Sequence, residues 1–328
     1  MRLATMIGHQ PDGSETAGDV VFEARRAADL GFSTAWMTQD LGWDALTALG
    51  LVGLSVPGIR LGTAVVPIAG RHPLVLAGQV RSVQAAIGDR LTLGVGTGHE
   101  RLVGSAMGLG DGRHARHLRE YLDALLPLLR GEAVDVDGDL VRAAGRVTAP
   151  GGAAPPVLVA ALDRDELRVA GELGDGVIVS WVGPRTIDRH VLPRLAAAGP
   201  AGRPRPEVVH ITAVSVTDDV DGARGRIADA LGAADDLPCH HDALELEGVA
   251  HPGALALVGT EREVARRMQQ LADAGVSELV VVPSGDRAEV SRTWALLREM
   301  CGDEEDGYDE PDLGIWDRSA SLAATNHP

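Results

Sequence analysis

The amino-acid sequence predicts an α/β protein, a (β/α)8 TIM barrel with a small insertion and a disordered acidic C-terminal tail. Short apolar runs alternate with amphipathic stretches, which is typical of parallel strands separated by helices. Eight strand–helix units fit within about 300 of the 328 residues. Hydrophobic residues make up 45% of the chain, enough for one large core. Eight units favour a closed barrel, whereas six units with decoration would make an open, doubly wound sheet.

The strands are predicted from apolar and β-branched runs that are bounded by glycine, proline or polar residues. The helices are predicted from apolar residues that recur every three to four positions. The predicted strands are 2–7, 34–39, 59–66, 91–95, 156–161, 177–181, 208–216 and 278–282. The predicted helices are 16–30, 44–56, 72–87, 113–129, 164–173, 186–198, 222–231, 261–274 and 288–300.

Two segments fall outside this alternation. Residues 134–147 predict a small β excursion, because Asp137-Gly138 is a hairpin-turn signal. Residues 232–256 show no clear period and are predicted to be irregular. The barrel is expected to span 1–301. Residues 302–328 hold eight acids against one arginine and predict a disordered tail.

Charge and composition exclude several classes of protein. The formal charge of −17 disfavours binding to nucleic acid or to anionic membranes. The two cysteines, Cys239 and Cys301, have no spacing typical of a disulfide framework or a zinc site. No apolar run reaches 18 residues and no apolar leader is visible. A cytoplasmic protein with a small-molecule partner is the expectation.

The chain contains no lysine, so all 30 of its basic residues are arginines. Schiff-base chemistry at a lysine and the GxxxxGK[ST] phosphate loop are therefore excluded. Any bound anion must be held by arginines, hydroxyls or backbone amides at helix starts.

Polar and glycine-rich residues follow several predicted strands, where a barrel places its active site. Gly94-Val95-Gly96-Thr97-Gly98 lacks the third glycine and the immediate helix of a dinucleotide fingerprint, so close approach of the backbone to something flat is the better interpretation. His99 and Glu100 come next, and His99 is a candidate acid or base. A solvated loop histidine is an equally common outcome.

The remaining histidine pairs do not predict a metal site. His114 and His117 lie one helical turn apart, but no third ligand has useful spacing. Cys239-His240-His241 places ligands next to each other, where they cannot easily converge on one ion. At Ala160-Ala161-Leu162-Asp163 a strand leads into a helix, which predicts an anion site, an ordinary cap by Asp163, or both together.

Six segments together resemble the luciferase-like monooxygenase superfamily, above all its actinobacterial branch of oxidoreductases that use coenzyme F420. Their order matches and they span roughly residues 1–300, which makes the combination specific although each piece alone is not. The segments are LGFSTAWMTQD (30–40), IRLGTAVVPIAGRHP (59–73), DRLTLGVGTGH (89–99), HLREYLDALLPLLRGEAVDVDG (117–138), PPVLVAALDRDELRVAGELGDG (155–176) and WVGPRTI (181–187).

The resemblance implies a barrel that holds a flavin-like ring at the carboxyl ends of its strands, and a homodimer. It implies a non-proline cis peptide at Ala64–Val65, behind the ring. It assigns three groups of residues. The catalytic candidates are His99, Gln39 and Asp40; the cofactor-binding candidates are Ala64, Val65, Val66, Thr97, Ala161, Leu162 and Asp163; the substrate-pocket candidates are Ser180 and Trp181.

Two departures from the family pattern bear on the reaction. The family's sugar-phosphate dehydrogenase has histidine where this chain has Asp40, and glutamate where it has His99. It also grips the substrate phosphate with lysines, which are missing here. The expected reaction is therefore hydride transfer between F420 and a small organic molecule, by reduction of a C=C, C=N or C=O bond. The alternatives are an FMN-dependent monooxygenase and a non-catalytic cofactor-binding protein.

Overall fold

The computed structural model describes residues 1–8, 14–98, 101–109, 112–150, 152–231 and 238–302. Its strands are β1 Arg2–Met6, β2 Thr34–Met37, β3 Arg60–Thr63, β4 Val66–Pro67, β5 Leu91–Gly96, β6 Ala133–Asp137, β7 Arg142–Arg146, β8 Val157–Ala160, β9 Gly176–Ser180, β10 Glu207–Val216, β11 Leu257–Gly259 and β12 Glu278–Pro283. Its helices are α1 Ala17–Asp29, α2 Ala45–Ser55, α3 Pro73–Ile87, α4 His114–Leu129, α5 Arg164–Leu173, α6 Pro184–Thr186, α7 Leu192–Ala198, α8 Val220–Leu231, α9 Pro238–Glu247, α10 Glu261–Ala274 and α11 Arg287–Cys301.

Eight parallel strands close into a barrel, in the order β1, β2, β3, β5, β8, β9, β10 and β12. The last of these pairs back with the first, since Arg2 of β1 lies opposite Glu278 of β12. The predicted (β/α)8 barrel is confirmed, and the open sheet is excluded because no barrel strand is left at an edge. The predicted β excursion is the antiparallel hairpin β6–β7.

One large side chain fills the middle of the barrel. Trp36 of β2 is 1% exposed and packs with Ala4, Leu158, Ile178, Val209 and Val280 from the surrounding strands. The neighbouring strand makes room for it with Gly62, where a Cβ would lie 2.3 Å from the indole ring. With 3% aromatic residues in the chain, this single indole supplies volume that small aliphatic side chains would leave empty.

Polar contacts of the same indole close the end of the barrel where the strands begin. Trp36 Nε1 donates a hydrogen bond of 2.8 Å to the buried carboxylate of Glu278. Arg2 donates to the other oxygen of Glu278 at 2.9 Å and also pairs with Glu207 at 3.0 Å. The buried charge of Glu278 is therefore paired and hydrogen-bonded, as a buried carboxylate must be.

The predicted third strand, 59–66, is wrong in one respect. It is divided into β3 and β4, and the peptide bond Ala64–Val65 between them is cis. Apolar β-branched runs do not reveal where a strand leaves its ladder, because Val65 and Val66 continue the same composition.

The prediction that 232–256 is irregular is wrong for the described part of this segment. Its described part contains α9, a 3₁₀ turn at Pro252–Leu255 and the approach to β11. Pro238 at the first helical position, followed by helix-forming Ala, Leu and Glu, was the available signal. Ala243 and Leu244 of α9 are 4% and 6% exposed, so this helix is packed against the barrel body.

The last described helix ends at a left-handed Gly302, with φ of 84°. Residues 303–328, the predicted acidic tail, lie outside the described residues, and the division at 301/302 stays a prediction. None of the described helices combines the length and apolar character that a membrane crossing requires.

A buried histidine lies on the outer face of the barrel wall. His210 of β10 is 1% exposed, and its Nε2 donates to the carbonyl of Val182 at 3.0 Å. This bond places the proton on Nε2, and Nδ1 has no hydrogen-bond partner in the described part of the chain. Burial lowers the pKa of His210 to about 4, because a second proton would create an unpaired buried charge.

We expect His210 to make the fold sensitive to acid. The unfolded chain takes up a proton near pH 6.5 and the folded chain only near pH 4, so stability is complete above pH 6.5 and declines between these values. The loss is about 3 kcal/mol at pH 4. Urea unfolding of wild type and His210→Gln between pH 4 and pH 8 measures it.

Glutamine can donate to the Val182 carbonyl and does not titrate, so it is the matched variant. The difference in unfolding free energy between wild type and His210→Gln should change with pH only below pH 6.5. A difference that is constant from pH 4 to pH 8 would contradict the assignment.

Candidate active site

A cavity of about 990 Å³ opens at the carboxyl ends of the barrel strands. Its lining comes from the ends of β2, β3, β5, β8 and β9, from the middle of β10, from the first two turns of α4 and α5, and from α9. Active sites of (β/α)8 enzymes lie on this face. The size suits a drug-sized organic ligand or cofactor.

The floor of the cavity is apolar and contains several small residues. It includes the cis-linked Ala64 and Val65, together with Gly96, Ala160 and Ile178. A Cβ on Gly96 would lie 3.0 Å from Val65 Cγ2 and 3.1 Å from the Ala160 methyl group. Glycine therefore keeps this part of the floor flat, as predicted for the Gly94–Gly98 segment.

A threonine hydroxyl holds the strand break that forms this floor. Thr63, the last residue of β3, is fully buried, and its Oγ1 donates to the Gly94 carbonyl at 2.8 Å. The same oxygen accepts from the Gly94 amide at 2.8 Å. After Thr63 the chain leaves the ladder at Ala64 and Val65. It rejoins β5 where Val66 pairs with Val95. The Thr63 side chain therefore satisfies both the amide and the carbonyl of Gly94, which have no β3 backbone partner because that strand has ended.

Gln39 and Asp40 both line the cavity, after β2. The Gln39 amide oxygen accepts from the Ala45 amide at 2.8 Å and so ties the loop to the start of α2. Arg71 contacts the same oxygen at 3.5 Å and forms an ion pair with Asp44. This arrangement gives Gln39 a positioning contact, while Asp40 is exposed at the rim.

Thr97 lies on the wall beside a carboxyl group that sequence reasoning missed. Its hydroxyl donates to Glu166 Oε1 at 3.1 Å, and both residues line the cavity. Burial raises the pKa of Glu166, and the nearby Asp163 adds to this effect, while the Thr97 hydrogen bond and the charge of His114 oppose it.

The turn 161–163 reaches the cavity as predicted, and Asp163 caps α5. Its Oδ1 accepts from the Asp165 amide at 2.8 Å. His190 contacts the Leu162 carbonyl at 2.7 Å and holds the turn from behind. The ordinary cap is therefore confirmed, and it uses one of the helix-start amides that the predicted anion site would need.

The outer wall carries arginines and two histidines. The cationic or titratable residues among them are Arg113, His114, Arg116, Arg119, Arg168 and His240. Three of the arginines contact carboxylates: Arg116 pairs with Glu120 and Asp139, Arg119 with Glu172, and Arg168 weakly with Asp165 and Glu172. His114, in the first turn of α4, is on the cavity wall.

His240 enters the cavity because α9 is anchored to the turn after β9. Glu247 accepts from the Thr186 amide at 2.6 Å, and Arg185 donates to the Glu247 carbonyl at 3.1 Å. A Cβ on Gly183 would lie 2.4 Å from the Glu247 carboxyl carbon, so a larger residue there would displace this carboxylate. His240 itself is 8% exposed.

Three predicted site residues, Val66, His99 and Trp181, are not among the described residues that line the cavity. Ser180 lines the cavity, whereas Trp181 and Val66 are not among its lining residues. Trp181 adopts a left-handed φ of 57° and packs near Ala213 and Val258. Val66 is fully buried in the core beneath the floor. His99 lies outside the described residues. Within the described ranges, no group of three or more His, Cys, Asp or Glu is arranged to hold a metal ion.

Fold and cavity together define a class of barrel enzymes with a flat, apolar binding floor at the strand ends. Residues 1–278 match the family model described as luciferase-like monooxygenase. The chain belongs to this family, and the resemblance found in the sequence is confirmed.

Two curated relatives illustrate the range of the family. The chain is 25% identical over 286 residues to the 5,10-methylenetetrahydromethanopterin reductase of Methanolobus tindarius, which covers 78% of this chain and 87% of the relative. It is 30% identical over 268 residues to the F420-dependent glucose-6-phosphate dehydrogenase of Beutenbergia cavernae, with 77% and 73% covered.

Solved structures support the same fold. The coenzyme F420-dependent tetrahydromethanopterin reductase of Methanopyrus kandleri superposes with a TM-score of 0.72 at 21% identity, over 91% of this chain and 97% of that one. The monooxygenase RslO1 of Streptomyces bottropensis superposes with a TM-score of 0.70 at 22% identity, over 91% and 98%. At these identities the likeness concerns the fold alone.

We expect the Thr63 hydroxyl to be a major stabilising group. Thr63→Val keeps the shape of the side chain but leaves the amide and carbonyl of Gly94 unsatisfied, at a cost of about 2–4 kcal/mol. Urea unfolding measures the loss.

Thr63→Ser is the matched control, because it keeps the hydroxyl and removes only a methyl group worth about 1 kcal/mol. If the valine variant is as stable as the serine variant, the two hydrogen bonds do not brace the strand break.

Proposed function

We propose that this chain is an oxidoreductase that transfers a hydride between coenzyme F420 and a small organic molecule, by reduction of a C=C, C=N or C=O bond. The flat floor at Ala64–Val65 and Gly96 is the observation that carries the proposal. The relative from Beutenbergia cavernae, which is named as an F420-dependent glucose-6-phosphate dehydrogenase and aligns with 77% of this chain, supports it.

The residues of the cavity fit a planar, tricyclic ring. Gly96 lets the backbone pack closely between Val65 and Ala160, because a Cβ there would lie only 3.0 Å from Val65 Cγ2 and 3.1 Å from the Ala160 Cβ. Ile178 and Ile211 add apolar surface from β9 and β10. Such a floor offers stacking area without a polar group that the ring would leave unsatisfied.

When bound, the cofactor supplies the hydride, and the chain supplies position and proton management. The Gln39 contact to Ala45 fixes the loop that borders the ring. His99 is the proposed proton donor to the substrate atom that does not receive the hydride. Ser180 and the α9 segment, with His240, form the side of the cavity that faces the substrate.

Oxidation of a sugar phosphate fits this cavity poorly. Asp40 and His99 stand where the family's sugar-phosphate dehydrogenase has histidine and glutamate, and no lysine is available to hold a substrate phosphate. The arginines on the cavity wall contact carboxylates of the same chain. We therefore infer a substrate without a phosphate group.

We expect the purified protein to bind F420 at least tenfold more tightly than FMN, and to oxidise reduced F420 in the presence of a suitable enone, imine or ketone. Titration followed by absorbance measures both affinities. Tighter binding of FMN with oxygen consumption would favour the monooxygenase alternative, and binding without any turnover would favour a binding protein.

Gly96→Ala tests whether the ring binds on this floor, and urea unfolding of the variant measures any damage to the fold, because the added Cβ also crowds Val65 and Ala160. The added methyl group occupies the floor, so affinity for F420 should fall about tenfold, which corresponds to about 1.4 kcal/mol. Gly225→Ala on α8 has no atom within 4 Å of its Cβ and serves as the control, with unchanged affinity. Equal affinities of both variants would place the ring elsewhere.

We also infer a homodimer that forms through α2 and α3. The α2 helix, ALTALGLVGLS, has no charged residue, yet Leu51 and Leu54 are 46% and 68% exposed. Val75 on the neighbouring α3 is 56% exposed. In a chain of net charge −17, an uncharged two-helix face suits a second copy of itself better than solvent.

Leu54→Glu should therefore convert the protein to monomers, because it places two like charges in a symmetric interface. Light scattering measures the mass. Met300→Glu on α11, at a residue 39% exposed away from α2 and α3, should leave the dimer intact. A wild-type protein that is monomeric at micromolar concentration would refute this interface.

A further inference from the structure

The side-chain amide of Gln39 has only one orientation that its neighbours allow. Its Oε1 accepts from the Ala45 amide at 2.8 Å and is contacted by Arg71 Nη2 at 3.5 Å. A backbone N–H and a guanidinium can only donate hydrogen bonds. The atom that faces them must therefore be the oxygen, and the NH2 group must lie on the other side of the amide.

Arg71 is itself held in place by its neighbours. Its side chain is 20% exposed, forms an ion pair with Asp44 and donates to Gln79 Oε1 at 3.3 Å. Asp44 in turn caps α2 by accepting from the Thr47 amide at 2.9 Å. Because Asp44 compensates the guanidinium charge, the contact with Arg71 orients the Gln39 amide without adding net charge to the cavity wall.

The NH2 group of Gln39 can donate into the cavity. Among the described residues Nε2 contacts only the Asp40 carbonyl, at the long distance of 3.4 Å. A side-chain amide carries two N–H groups, so one of them can serve a ligand in the cavity that Gln39 lines. An acceptor on that ligand is what this wall is built to meet.

Gln39 lies nearer the mouth of the cavity than the floor does. The Ala64 amide donates to the Met37 carbonyl at 2.8 Å, so the floor at Ala64 is level with Met37. Gln39 is two residues beyond Met37, and two residues of extended chain advance about 6 Å. A flat ring on the floor occupies about 3.5 Å of this height. The Gln39 amide is therefore placed to meet the molecule that lies on the ring.

We propose that Gln39 donates a hydrogen bond from Nε2 to the carbonyl oxygen of the substrate, and that Arg71 is the positioning residue that holds the amide in this orientation. The inference rests on the proposed function and narrows its substrate to a ketone or an α,β-unsaturated carbonyl compound. A protonated imine has no lone pair to accept from Gln39. The exposed Asp40 at the rim disfavours an anionic acceptor such as a carboxylate.

This hydrogen bond becomes stronger during the reaction. The hydride adds to the carbonyl carbon of a ketone or to the β-carbon of an enone, and the electron pair of the π bond moves to the oxygen as an alkoxide or enolate. One proton, from the donor proposed above, then completes the product at the oxygen or at the α-carbon. A fixed N–H donor aimed at the oxygen stabilises the charge that develops there.

Neutron diffraction from deuterium-exchanged crystals of the whole chain tests the orientation without any ligand. Two deuterium atoms should be bound to the Gln39 side-chain atom that faces the cavity, and none to the atom that faces Ala45. The reverse assignment would overturn the inference.

Gln39→Glu tests the donor in turnover with reduced F420 and three probes, which are cyclohexenone, cyclohexanone and pyrroline. The introduced carboxylate can still accept from Ala45 and Arg71, but it presents an acceptor to the cavity. At high pH, kcat for the two carbonyl probes should fall about 100-fold. It should recover as the pH falls, because a protonated carboxyl group donates again, while the Kd of F420 stays unchanged.

Arg71→Leu should lower kcat for the carbonyl probes about tenfold, since the amide loses one of the two donors that orient it. Arg71→Lys keeps a donor to Gln39 and Asp44 and should restore most of the loss. Asp44→Asn is the matched control, because it keeps the cap of α2 and removes only the ion pair, so kcat should be unchanged. An equal loss of kcat in Arg71→Leu and Asp44→Asn would overturn the positioning role.

The failure of this inference is distinguishable from failure of the proposed function. A Gln39→Glu variant as active as wild type at high pH, or a wild type that reduces pyrroline and neither carbonyl probe, would overturn the inference while tight F420 binding still supported the proposed function. A wild type that does not bind F420, or that reduces none of the three probes, would overturn the proposed function and the inference with it.

Discussion

The floor of the cavity depends on the two hydrogen bonds between the Thr63 hydroxyl and Gly94. A barrel strand that leaves its neighbour exposes backbone groups, and in a buried wall those groups must find partners. Thr63 provides both a donor and an acceptor at one point, so the chain can turn inward through Ala64 and Val65 without loss of pairing. These two hydrogen bonds allow the chain to form the cavity floor and to return to β5. The shape of the space available to a ring depends on them.

Much of the fold was predictable because it is encoded in periodicity. Apolar β-branched runs and three-to-four spacing located the eight barrel strands and most of the helices to within a few residues. The break at 64–65 was not visible in composition and came only from the resemblance. The helix α9 was missed because its apolar pattern is weak, and Ala243 and Leu244 are buried by a tertiary contact that sequence spacing does not reveal.

The candidate site was predictable in outline and not in its charges. The resemblance assigned Gln39, Thr97 and Ser180 to the pocket, and all three line the cavity because they lie at the carboxyl ends of barrel strands. Glu166 was overlooked because an acidic residue in the first turn of a helix has an ordinary explanation in the helix dipole. Its burial against Thr97 depends on how α5 meets β5, which no local pattern specifies. Trp181 was misplaced for a related reason, because its left-handed backbone turns it towards Ala213.

The indole of Trp36 lies directly under the floor, since Ala64, Val65 and Ile211 pack against the same interior cluster. It is held rigidly by Glu278 and by the space that Gly62 leaves. An aromatic emitter in van der Waals contact with the floor will lose its fluorescence by energy transfer to any visible-absorbing ring that settles above it. One of the chain's five tryptophans is therefore placed where its emission reports whether the cavity is occupied, without a label.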